Sequence, residues 1–297
     1  MKGTKIMPYS KKVLITGATG LIGKEALPFL KQKGFKIYAV STQKIPSSED
    51  IKFLQGNILN QSFINQIIAD IKPSHLLHFA WATTGLFDNN INFSFLSSSM
   101  DLLQAFAANG GKRAVMAGTY AEYGHKNCIL KENLPAEPFN VYGYCKTWLR
   151  LQAELFCRNN GISFAWGHIF SAYGKEKIQT RLTPDVINHL KDNRSVIIRS
   201  GNLIRDYIYS KDVAYAFTLL LDSNVEGRVN ICSGKATLIR EYVLTLSKVM
   251  GKENLVEFQD TKSFQQVNVV GDNTRLKEEL GFTPKYSLEE AFKEILA

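Results

Sequence analysis

The sequence predicts an α/β fold in which a doubly wound parallel sheet is followed by a smaller, mixed α/β lobe. Three observations support this prediction. Short apolar runs alternate with amphipathic segments through the first half of the chain, as they do where parallel strands alternate with crossover helices. A glycine-rich turn separates the first apolar run from the first amphipathic segment. Beyond Gly174 the apolar runs shorten, and turns are marked by Pro184, Gly201, Gly227, Gly234 and Pro284.

The individual elements follow from the same periodicity. Strands are predicted at residues 13–16, 36–40, 53–55, 75–80, 113–117 and 163–169, and helices at residues 23–33, 63–70, 91–108 and 142–158. We expect residues 1–170 to form the first domain and residues 171–297 to form most of the second lobe. A strand and a helix near residues 205–232 are expected to return to the first domain.

Composition narrows the classes of protein to which the chain can belong. Of its 297 residues, 45% are hydrophobic and 21% are charged, which is typical of a folded globular protein. No apolar run approaches the ~20 residues that a membrane-spanning helix needs. The segment from Met1 to Lys12 is basic but has no long apolar core, so the sequence predicts no signal peptide. We therefore expect a cytoplasmic protein that is not associated with a membrane.

The cysteines, histidines and charges argue against a metal site and a nucleic-acid partner. The four cysteines are scattered without a C-x-x-C pair, and the five histidines have no metal-ligand spacing. The formal net charge is +9, but the basic residues are dispersed and no basic run reaches five residues. A dispersed positive field suits a small anionic ligand such as a diphosphate. The sequence therefore predicts no metal and no nucleic acid.

The glycine-rich turn has the character of a dinucleotide-binding turn. It reads Thr-Gly-Ala-Thr-Gly-Leu-Ile-Gly at residues 16–23, between the first predicted strand and the first predicted helix. Gly17 permits a tight turn, Gly20 lets a diphosphate approach the backbone, and Gly23 lets helix and strand pack closely. Free amides at the helix N-terminus favour phosphate groups. The sequence thus predicts a Rossmann-type sheet with cofactor contacts from Gly17, Thr19, Gly20, Leu21, Ile22 and Gly23.

The end of the second predicted strand bears on the choice between NAD and NADP. An acidic residue at this position hydrogen-bonds the adenosine ribose and repels the 2′-phosphate of NADP. This chain has Ser41, Thr42 and Lys44 in the segment and no carboxylate. Because the hydroxyls can donate to a phosphate and the lysine can neutralise part of its charge, the segment favours NADP(H), with NAD(H) as the alternative.

Tyr142 and Lys146 form a candidate proton-transfer pair. They are four residues apart at the start of a predicted helix, so their side chains lie on the same face. A nearby ammonium favours tyrosinate, and we expect it to lower the pKa of Tyr142 from its ordinary value of about 10. Thr119, which follows a predicted strand, has a hydroxyl that can donate to a carbonyl or alkoxide oxygen. These three residues are the candidate catalytic group.

Together these motifs resemble the extended short-chain dehydrogenase/reductase superfamily, in its NAD(P)-dependent epimerase/dehydratase branch. Further similar segments are Gln-Gly-Asn at residues 55–57, His-Phe-Ala-Trp at 78–81, His-Ile-Phe-Ser-Ala-Tyr-Gly at 168–174 and Arg-Asp-Tyr-Ile at 205–208. The chain departs from the family pattern at Asn57, His168 and Ser171.

The resemblance implies roles for residues outside the glycine turn. Further cofactor contacts are expected from Ser41, Thr42, Asn57, Ile58, Phe79, Ala80, Trp81, Ile169, Tyr142 and Lys146. Residues 171–297 are expected to bind mostly the substrate, with Arg205 on its nucleotide diphosphate. The implied substrate contacts are Trp81, Thr119, Glu122, Tyr123, Tyr173 and Arg205.

The branch contains dehydratases, epimerases and reductases of nucleotide sugars. Its 4,6-dehydratases carry Thr-Asp-Glu after the active-site strand, whereas this chain has Thr119-Tyr120-Ala121, which argues against dehydration. The principal interpretation is an NAD(P)H-dependent reductase of a nucleoside-diphosphate-4-keto-6-deoxyhexose in the biosynthesis of surface-polysaccharide sugars. The alternative is a nucleotide-sugar 4-epimerase with tightly bound NAD, and a third interpretation is a non-catalytic, cofactor-sensing regulator. The resemblance also implies a homodimer formed through the helices predicted at residues 91–108 and 142–158.

Overall fold

The computed structural model describes residues 11–82, 87–176, 181–259 and 268–297. The absence of a signal peptide was predicted for residues 1–12, and residues 1–10 of this segment lie outside the described ranges. None of the helices within the described ranges is both long enough and apolar enough to cross a membrane.

Strands and helices alternate through the first half of the chain. In order they are β1 (Lys12–Thr16), α1 (Gly23–Gln32), β2 (Lys36–Ser41), β3 (Ile51–Gln55), α2 (Gln61–Ile71), β4 (His75–His78), α3 (Ile91–Ala108), β5 (Arg113–Thr119), β6 (Ile129–Leu130), α4 (Val141–Asn159) and β7 (Ser163–Ile169). A short 3-10 helix, Tyr120–Tyr123, follows β5 directly.

The second half contains shorter strands and more irregular connections. Its elements are β8 (Ser171–Tyr173), α5 (Leu182–Lys191), β9 (Val196–Ile198), β10 (Ile204–Arg205), β11 (Tyr207–Tyr209), α6 (Ser210–Leu221), β12 (Gly227–Ile231), β13 (Thr237–Leu238), α7 (Ile239–Val249), β14 (Val256–Phe258), β15 (Val270–Gly271), α8 (Thr274–Glu278) and α9 (Leu288–Leu296).

Seven parallel strands form the main sheet, in the order β12-β7-β5-β4-β1-β2-β3. Ile15 of β1 lies opposite Ala39 of β2 on one side and Leu77 of β4 on the other. The chain builds outward from β1 to β3 and then crosses back to β4, so the strand order reverses between β1 and β4. In doubly wound sheets a ligand crevice forms at the carboxyl ends of the strands at such a reversal. This sheet confirms the predicted fold class.

Two of the apolar cores formed by the described residues show how the two halves of the chain are built. In the first, α6 packs beside α1, and β12 pairs in parallel with β7. Phe217 of α6 lies so close to Gly167 of β7 that a Cβ on this glycine would come within 2.5 Å of the ring. The second core is formed in large part by α5, α7 and α9, and its fully buried side chains include Leu190, Tyr242 and Phe292.

The observed ends of elements differ by a few residues from those predicted. β4 ends at His78 rather than at residue 80, because the N–H of Ala80 donates to Thr16 Oγ1 (3.3 Å) instead of to a neighbouring strand. α2 begins two residues earlier than predicted, since the side chain of Asn60 accepts a hydrogen bond from the N–H of Phe63 (3.1 Å). Side-chain hydrogen bonds to the backbone, rather than apolar periodicity, set both boundaries.

Two buried carboxylates fasten the second half of the chain. Asp206 precedes β11, and Asp212 lies in the first turn of α6. Backbone N–H donors offset the loss of hydration of such groups. These donors are Ser233, Gly234 and Gly271 for Asp206, and Lys285 and Tyr286 for Asp212. The segment that leads into α9 is therefore fastened to α6, which packs on the first core.

His78 is buried at the end of β4 and hydrogen-bonded at both ring nitrogens. Its Nδ1 lies 2.7 Å from Thr16 Oγ1, and its Nε2 lies 2.9 Å from Ser99 Oγ. Because the Ser99 hydroxyl donates to the carbonyl of Phe95 (2.6 Å), it accepts from Nε2–H, which leaves Nδ1 to accept from Thr16. Burial, with a smaller contribution from the charge of Lys146, lowers the pKa of His78 to about 3. The imidazole is therefore neutral at neutral pH.

We expect mild acid to destabilise the protein and the variant His78→Gln to lose less stability under the same change. Native His78 stays neutral until the pH approaches 3, whereas in the unfolded chain it binds a proton below pH 6.5. The unfolded state holds the extra proton between these values, so stability that is complete above pH 6.5 is lost as the pH falls towards 3. For His78 the loss between pH 7.5 and 5.5 is about 1 kcal/mol of unfolding free energy, measured by urea titration.

The control is His125→Gln, a change at an exposed histidine, which should leave the difference between the two pH values unaltered. Burial also lowers the pKa of His75, to about 4, so part of the acid sensitivity remains in both variants. A His78→Gln protein as acid-sensitive as the wild type would contradict the assignment of a neutral, buried imidazole.

Candidate active site

A cavity of about 680 Å³ opens at the carboxyl edge of the sheet, where the strand order reverses. Its wall combines the glycine turn after β1, the segment after β4, the end of β5, the start of α4 and residues 169–173, 176 and 181–183. Predicted site residues in this wall are Gly17, Gly20, Leu21, Ile22, Gly23, Phe79, Ala80, Trp81, Thr119, Tyr142, Lys146, Ile169 and Tyr173. The fold thus brings the glycine turn and the candidate catalytic group to one cavity.

The backbone of the glycine turn fits the approach of a diphosphate. Gly17 has a positive φ of 67°, and a Cβ on it would lie 2.7 Å from the backbone nitrogen of Ala80. A Cβ on Gly23 would collide with the carbonyl oxygen of Gly17. Gly20 faces the cavity, and a Cβ there would have only the Gly17 oxygen within 4 Å, at 3.2 Å. Substitution at Gly20 would therefore fill open space where a phosphate can reach the helix N-terminus.

The start of α4 aims Tyr142 and Lys146 into the cavity. The side chain of Asn140 accepts a hydrogen bond from the N–H of Gly143 (2.8 Å), so the helix begins at residue 141 and Tyr142 lies in its first turn. Lys146 lies one turn further along on the same face. Its Nζ donates to the carbonyl oxygen of Ala117 in β5 (2.7 Å), which ties the helix to the neighbouring strand.

The hydroxyl of Thr119 is oriented by the turn that follows β5. Its oxygen accepts a hydrogen bond from the N–H of Ala121 (3.2 Å), and it is also hydrogen-bonded to the side chain of Tyr142. Because one lone pair is occupied by Ala121, the Thr119 proton can be donated into the cavity, either to the phenol or to a substrate oxygen.

Burial dominates the ionisation of the pair. It raises the pKa of Tyr142, against the opposing effects of the Thr119 hydrogen bond and the charge of Arg181. It lowers the pKa of Lys146 to about 7, against the attraction of the Glu122 carboxylate. The prediction that the ammonium lowers the pKa of Tyr142 is therefore wrong, because loss of hydration has the largest effect on the pKa of both groups. At pH 7 the phenol therefore holds its proton, and the amine of Lys146 is present in both its charged and its neutral form.

Glu122 is buried behind the catalytic group and joins three elements. Its Oε1 accepts hydrogen bonds from the N–H of Thr119 (3.1 Å) and from Trp166 Nε1 in β7 (2.9 Å). Its Oε2 accepts one from Arg150 Nε in α4 (3.2 Å) and lies 3.4 Å from His168 Nε2. Burial alone would raise the pKa of Glu122, but His168, Arg150 and Trp166 together hold it below its ordinary value. The carboxylate is thus charged at neutral pH and fixes the backbone of Thr119.

The network continues from His168 to the edge of the sheet. Tyr123 Oη lies 3.0 Å from His168 Nδ1 and donates to Asn230 Oδ1 in β12 (2.7 Å). Asn230 Nδ2 in turn donates to the carbonyl oxygens of Leu130 (2.8 Å) and Asp272 (3.1 Å). His168, a departure from the family pattern, therefore has a structural role beneath the site.

Three predicted substrate contacts lie outside the described cavity wall. Glu122 and Tyr123 are each 1% exposed and lie behind the described cavity wall, because their polar atoms are used in the buried network. Arg205 also lies outside the described wall, and its Nη1 donates to the carbonyl oxygen of Ile204 (2.8 Å). Of the residues expected to contact substrate, Trp81, Thr119 and Tyr173 are in the wall.

Five predicted cofactor residues lie beside the cavity rather than in its described wall. They are Thr19, Ser41, Thr42, Asn57 and Ile58. Four of them follow the carboxyl ends of β2 and β3, on the same edge of the sheet as the cavity. The oxygens of Ser41 and Asn57 accept hydrogen bonds from the N–H groups two residues further on (3.0 Å each), and both side chains keep their own donor groups.

Several residues of the wall were not predicted from the sequence. Glu176 and Arg181 form an ion pair (3.3 Å) in the wall, and the carboxylate is only 3% exposed. Phe87, Phe139 and Tyr207 also line the cavity. These residues lie in loops or at the ends of short strands, without periodicity or motif spacing. Within the described ranges, no group of three or more His, Cys, Asp or Glu side chains is arranged to hold a metal ion.

Comparison with known protein families agrees with this site. A model of the NAD dependent epimerase/dehydratase family matches residues 13–232, well over half of the chain. The chain belongs to this family. A member of the NAD dependent epimerase/dehydratase family with this glycine turn and this Tyr142–Lys146 pair is an NAD-dependent oxidoreductase or epimerase of nucleotide sugars. The resemblance inferred from the motifs is confirmed, and the interpretation as a non-catalytic regulator gains no support.

Relatives of this family member cover nearly its whole length. The UDP-glucose 4-epimerase of Corynebacterium glutamicum is 23% identical over 305 residues, which are 93% of this chain and 92% of the relative. The structure of UDP-glucose 4-epimerase from Thermotoga maritima with UDP-glucose has a TM-score of 0.85 at 22% identity, covering 95% and 96% of the two chains. The dTDP-glucose 4,6-dehydratase from Bacillus anthracis in complex with NAD has a TM-score of 0.84 at 18% identity, covering 97% and 96%. At these identities the structural likeness shows the shared fold.

We expect Glu122→Gln to lower the free energy of unfolding by about 3 kcal/mol, because it leaves the buried Arg150 guanidinium with only the partly exposed Glu154 as a charged partner. The matched control is Glu154→Gln, which removes the second carboxylate on Arg150 (3.2 Å). Since Glu154 is partly exposed, this change should cost about 0.5 kcal/mol or less. Urea titrations of both variants measure the difference, and equal losses would mean that Glu122 has no special structural role.

Proposed function

We propose that the protein is a nucleotide-sugar 4-epimerase that works with tightly bound NAD. One observation carries the proposal. Thr119, Tyr142 and Lys146 line a cavity beside a dinucleotide-binding turn, while the Tyr120–Tyr123 turn directs no carboxylate into that cavity, because Glu122 is committed to Arg150 and Trp166. Dehydration would need an acid–base pair in this turn. The UDP-glucose 4-epimerases among the relatives support the same reaction class.

The chain's own residues act on the sugar hydroxyl at C4. Bound NAD would rest on the turn from Gly17 to Gly23 and would supply hydride transfer at C4. Thr119 donates a hydrogen bond to the C4 oxygen and holds it beside the phenol. Tyr142 acts as tyrosinate when C4 is oxidised and takes up the hydroxyl proton, and as the resulting phenol it returns that proton when C4 is reduced. Lys146 favours the tyrosinate by its charge whenever the phenol has lost its proton.

The competing proposal is the reductase of a 4-keto-6-deoxyhexose that draws on NADPH. It rests on the end of β2, where the chain has Ser41 and Thr42 and no carboxylate among residues 41–44. A carboxylate there would repel the 2′-phosphate of NADPH. We give the epimerase precedence, because the family and its relatives are NAD-dependent epimerases and dehydratases. The two proposals differ in whether the cofactor stays bound through the reaction.

A single preparation distinguishes them. Purified protein is denatured, and the released cofactor is identified by its absorbance and by its 2′-phosphate content. The native protein is then incubated with UDP-glucose, UDP-N-acetylglucosamine or dTDP-glucose without added reductant. We expect released NAD and interconversion of at least one sugar with its C4 epimer. Oxidation of added NADPH by a 4-keto sugar, with no interconversion, would instead establish the reductase.

Tyr142→Phe is expected to reduce turnover by about 10² to 10⁴-fold, because the phenol proton is the one exchanged with the C4 oxygen. The bound cofactor should be retained. Tyr144→Phe is the matched control, since Tyr144 lies two residues further along α4, is exposed and lies outside the cavity wall. Full activity in Tyr142→Phe would remove Tyr142 from the mechanism, and equal losses in both variants would point to a general effect on α4.

We further propose that two copies associate through α3 and α4. On α4, Tyr144, Trp148, Leu151 and Leu155 are each more than 40% exposed, and Trp148 lies 6.4 Å from the ring of Phe93 on α3. A contiguous apolar surface of this kind is typical of an interaction site. Leu151→Glu should halve the mass measured by light scattering, whereas Leu244→Glu, at an exposed leucine on α7, should not. An unchanged mass in Leu151→Glu would locate the interface elsewhere.

A further inference from the structure

The ammonium of Lys146 lies against the face of an aromatic ring. Its Nζ is 3.8 Å from the ring centroid of Trp81 and 5.8 Å from that of Trp166. Lys146 is only 2% exposed, and its one hydrogen bond among the described groups is to the carbonyl oxygen of Ala117 (2.7 Å). The indole of Trp81 therefore covers a side of the ammonium that water would otherwise hydrate.

Trp81 is held in this position from its far side. Its Nε1 donates to Asn92 Oδ1 (2.8 Å), and Asn92 is fully buried. Its ring stacks on Phe95 with centroids 5.5 Å apart and planes at 29°. Its edge also meets the ring of Tyr142, with centroids 6.2 Å apart. Three contacts, two of them from α3, thus fix the indole before any ligand arrives.

A buried ammonium needs compensation for its lost hydration. One carbonyl acceptor for three N–H donors is an incomplete substitute for water. The negative face of an indole attracts a cation most strongly where the site is desolvated. The charged and titratable groups that face Lys146 come from each neighbouring element. They are Glu122 from the turn after β5, His78 from β4, and Tyr142 and Arg150 from α4 itself. Among them only the Glu122 carboxylate is attractive, and Arg150 shares it.

We propose that Trp81 is a positioning residue that keeps Lys146 charged and directed at the catalytic cavity. Its consequence for catalysis rests on the proposed function, whereas its effect on the charge of Lys146 does not. The π face of the indole stabilises the charged form of the amine. Trp81 itself takes no part in proton transfer.

The first test follows the charge of Lys146 through protein stability. Native Lys146 loses its proton near pH 7, and the unfolded chain loses it near pH 10.5. Between these values the unfolded state holds the extra proton, so the free energy of unfolding rises with pH, starting near pH 7. Urea titrations from pH 5.5 to 9 should show this rise above pH 7 in the wild type and its absence there in Lys146→Met, which keeps only the rise at lower pH that His75 and His78 cause.

Replacement of Trp81 should move the start of that rise. In Trp81→Leu the charged amine is less favourable in the native state, so we expect the onset about one pH unit lower. Trp81→Phe keeps an aromatic face and should move the onset in the same direction by about half as much. This variant provides the test if the leucine variant folds poorly. Leu244→Ala, at an exposed leucine on α7, is the control and should not move it.

The second test is the pH profile of turnover. Activity falls as Lys146 loses its charge, so the alkaline limb of kcat should shift to lower pH by about one unit in Trp81→Leu and by less in Trp81→Phe. An unchanged onset of stability and an unchanged alkaline limb in Trp81→Leu would overturn the proposal and leave Trp81 a packing residue. If no epimerisation is found in any variant, the proposed function fails, and the stability titration still decides the role of Trp81.

Discussion

The Glu122 carboxylate is the point at which the elements of the candidate site are joined. It bonds to the backbone of β5 at Thr119, to α4 through Arg150 and to β7 through Trp166. A buried carboxylate is costly unless its lone pairs are satisfied, and here a guanidinium, an indole and a backbone N–H satisfy them. Thr119 lies on β5, and Tyr142 and Lys146 lie on α4. The buried Glu122 carboxylate therefore holds the candidate catalytic side chains in their relative positions from outside the cavity wall.

Burial is the second constraint, and it moves the pKa values of the two candidate catalytic side chains, Tyr142 and Lys146, in opposite directions. It favours the neutral forms of both the phenol and the amine. The spacing of Tyr142 and Lys146 is visible in the sequence, but the dielectric around them is not. This is why the position of the pair could be predicted while the direction of the Tyr142 pKa was predicted wrongly.

The same distinction explains which other features could be anticipated. The strands of the main sheet repeat a pattern of apolar runs and turns, so β1, β2, β5 and β7 were predicted within two residues. The Gly17–Gly23 turn and the residues of the wall near it follow from local backbone requirements. Glu176 and Arg181 could not be assigned, because loops without a repeat bring them together. Glu122 was expected to contact the substrate. Its role depends on distant partners, since the packing of Trp166 and Arg150 decides whether its carboxylate faces the cavity or the core.

The carboxylates of Asp206 and Asp212 limit how the cavity can admit a ligand. Asp206 accepts backbone hydrogen bonds from Ser233 and Gly271, and Asp212, on α6, accepts them from the segment that leads into α9. Since α6 packs against α1 and the sheet, a rigid rotation of the second core away from the first would strip Asp212 of its donors and leave a buried carboxylate unsolvated. Entry of a bulky, charged molecule must then depend on small rearrangements of the surface loops and side chains around the mouth, with the framework of the two cores unmoved.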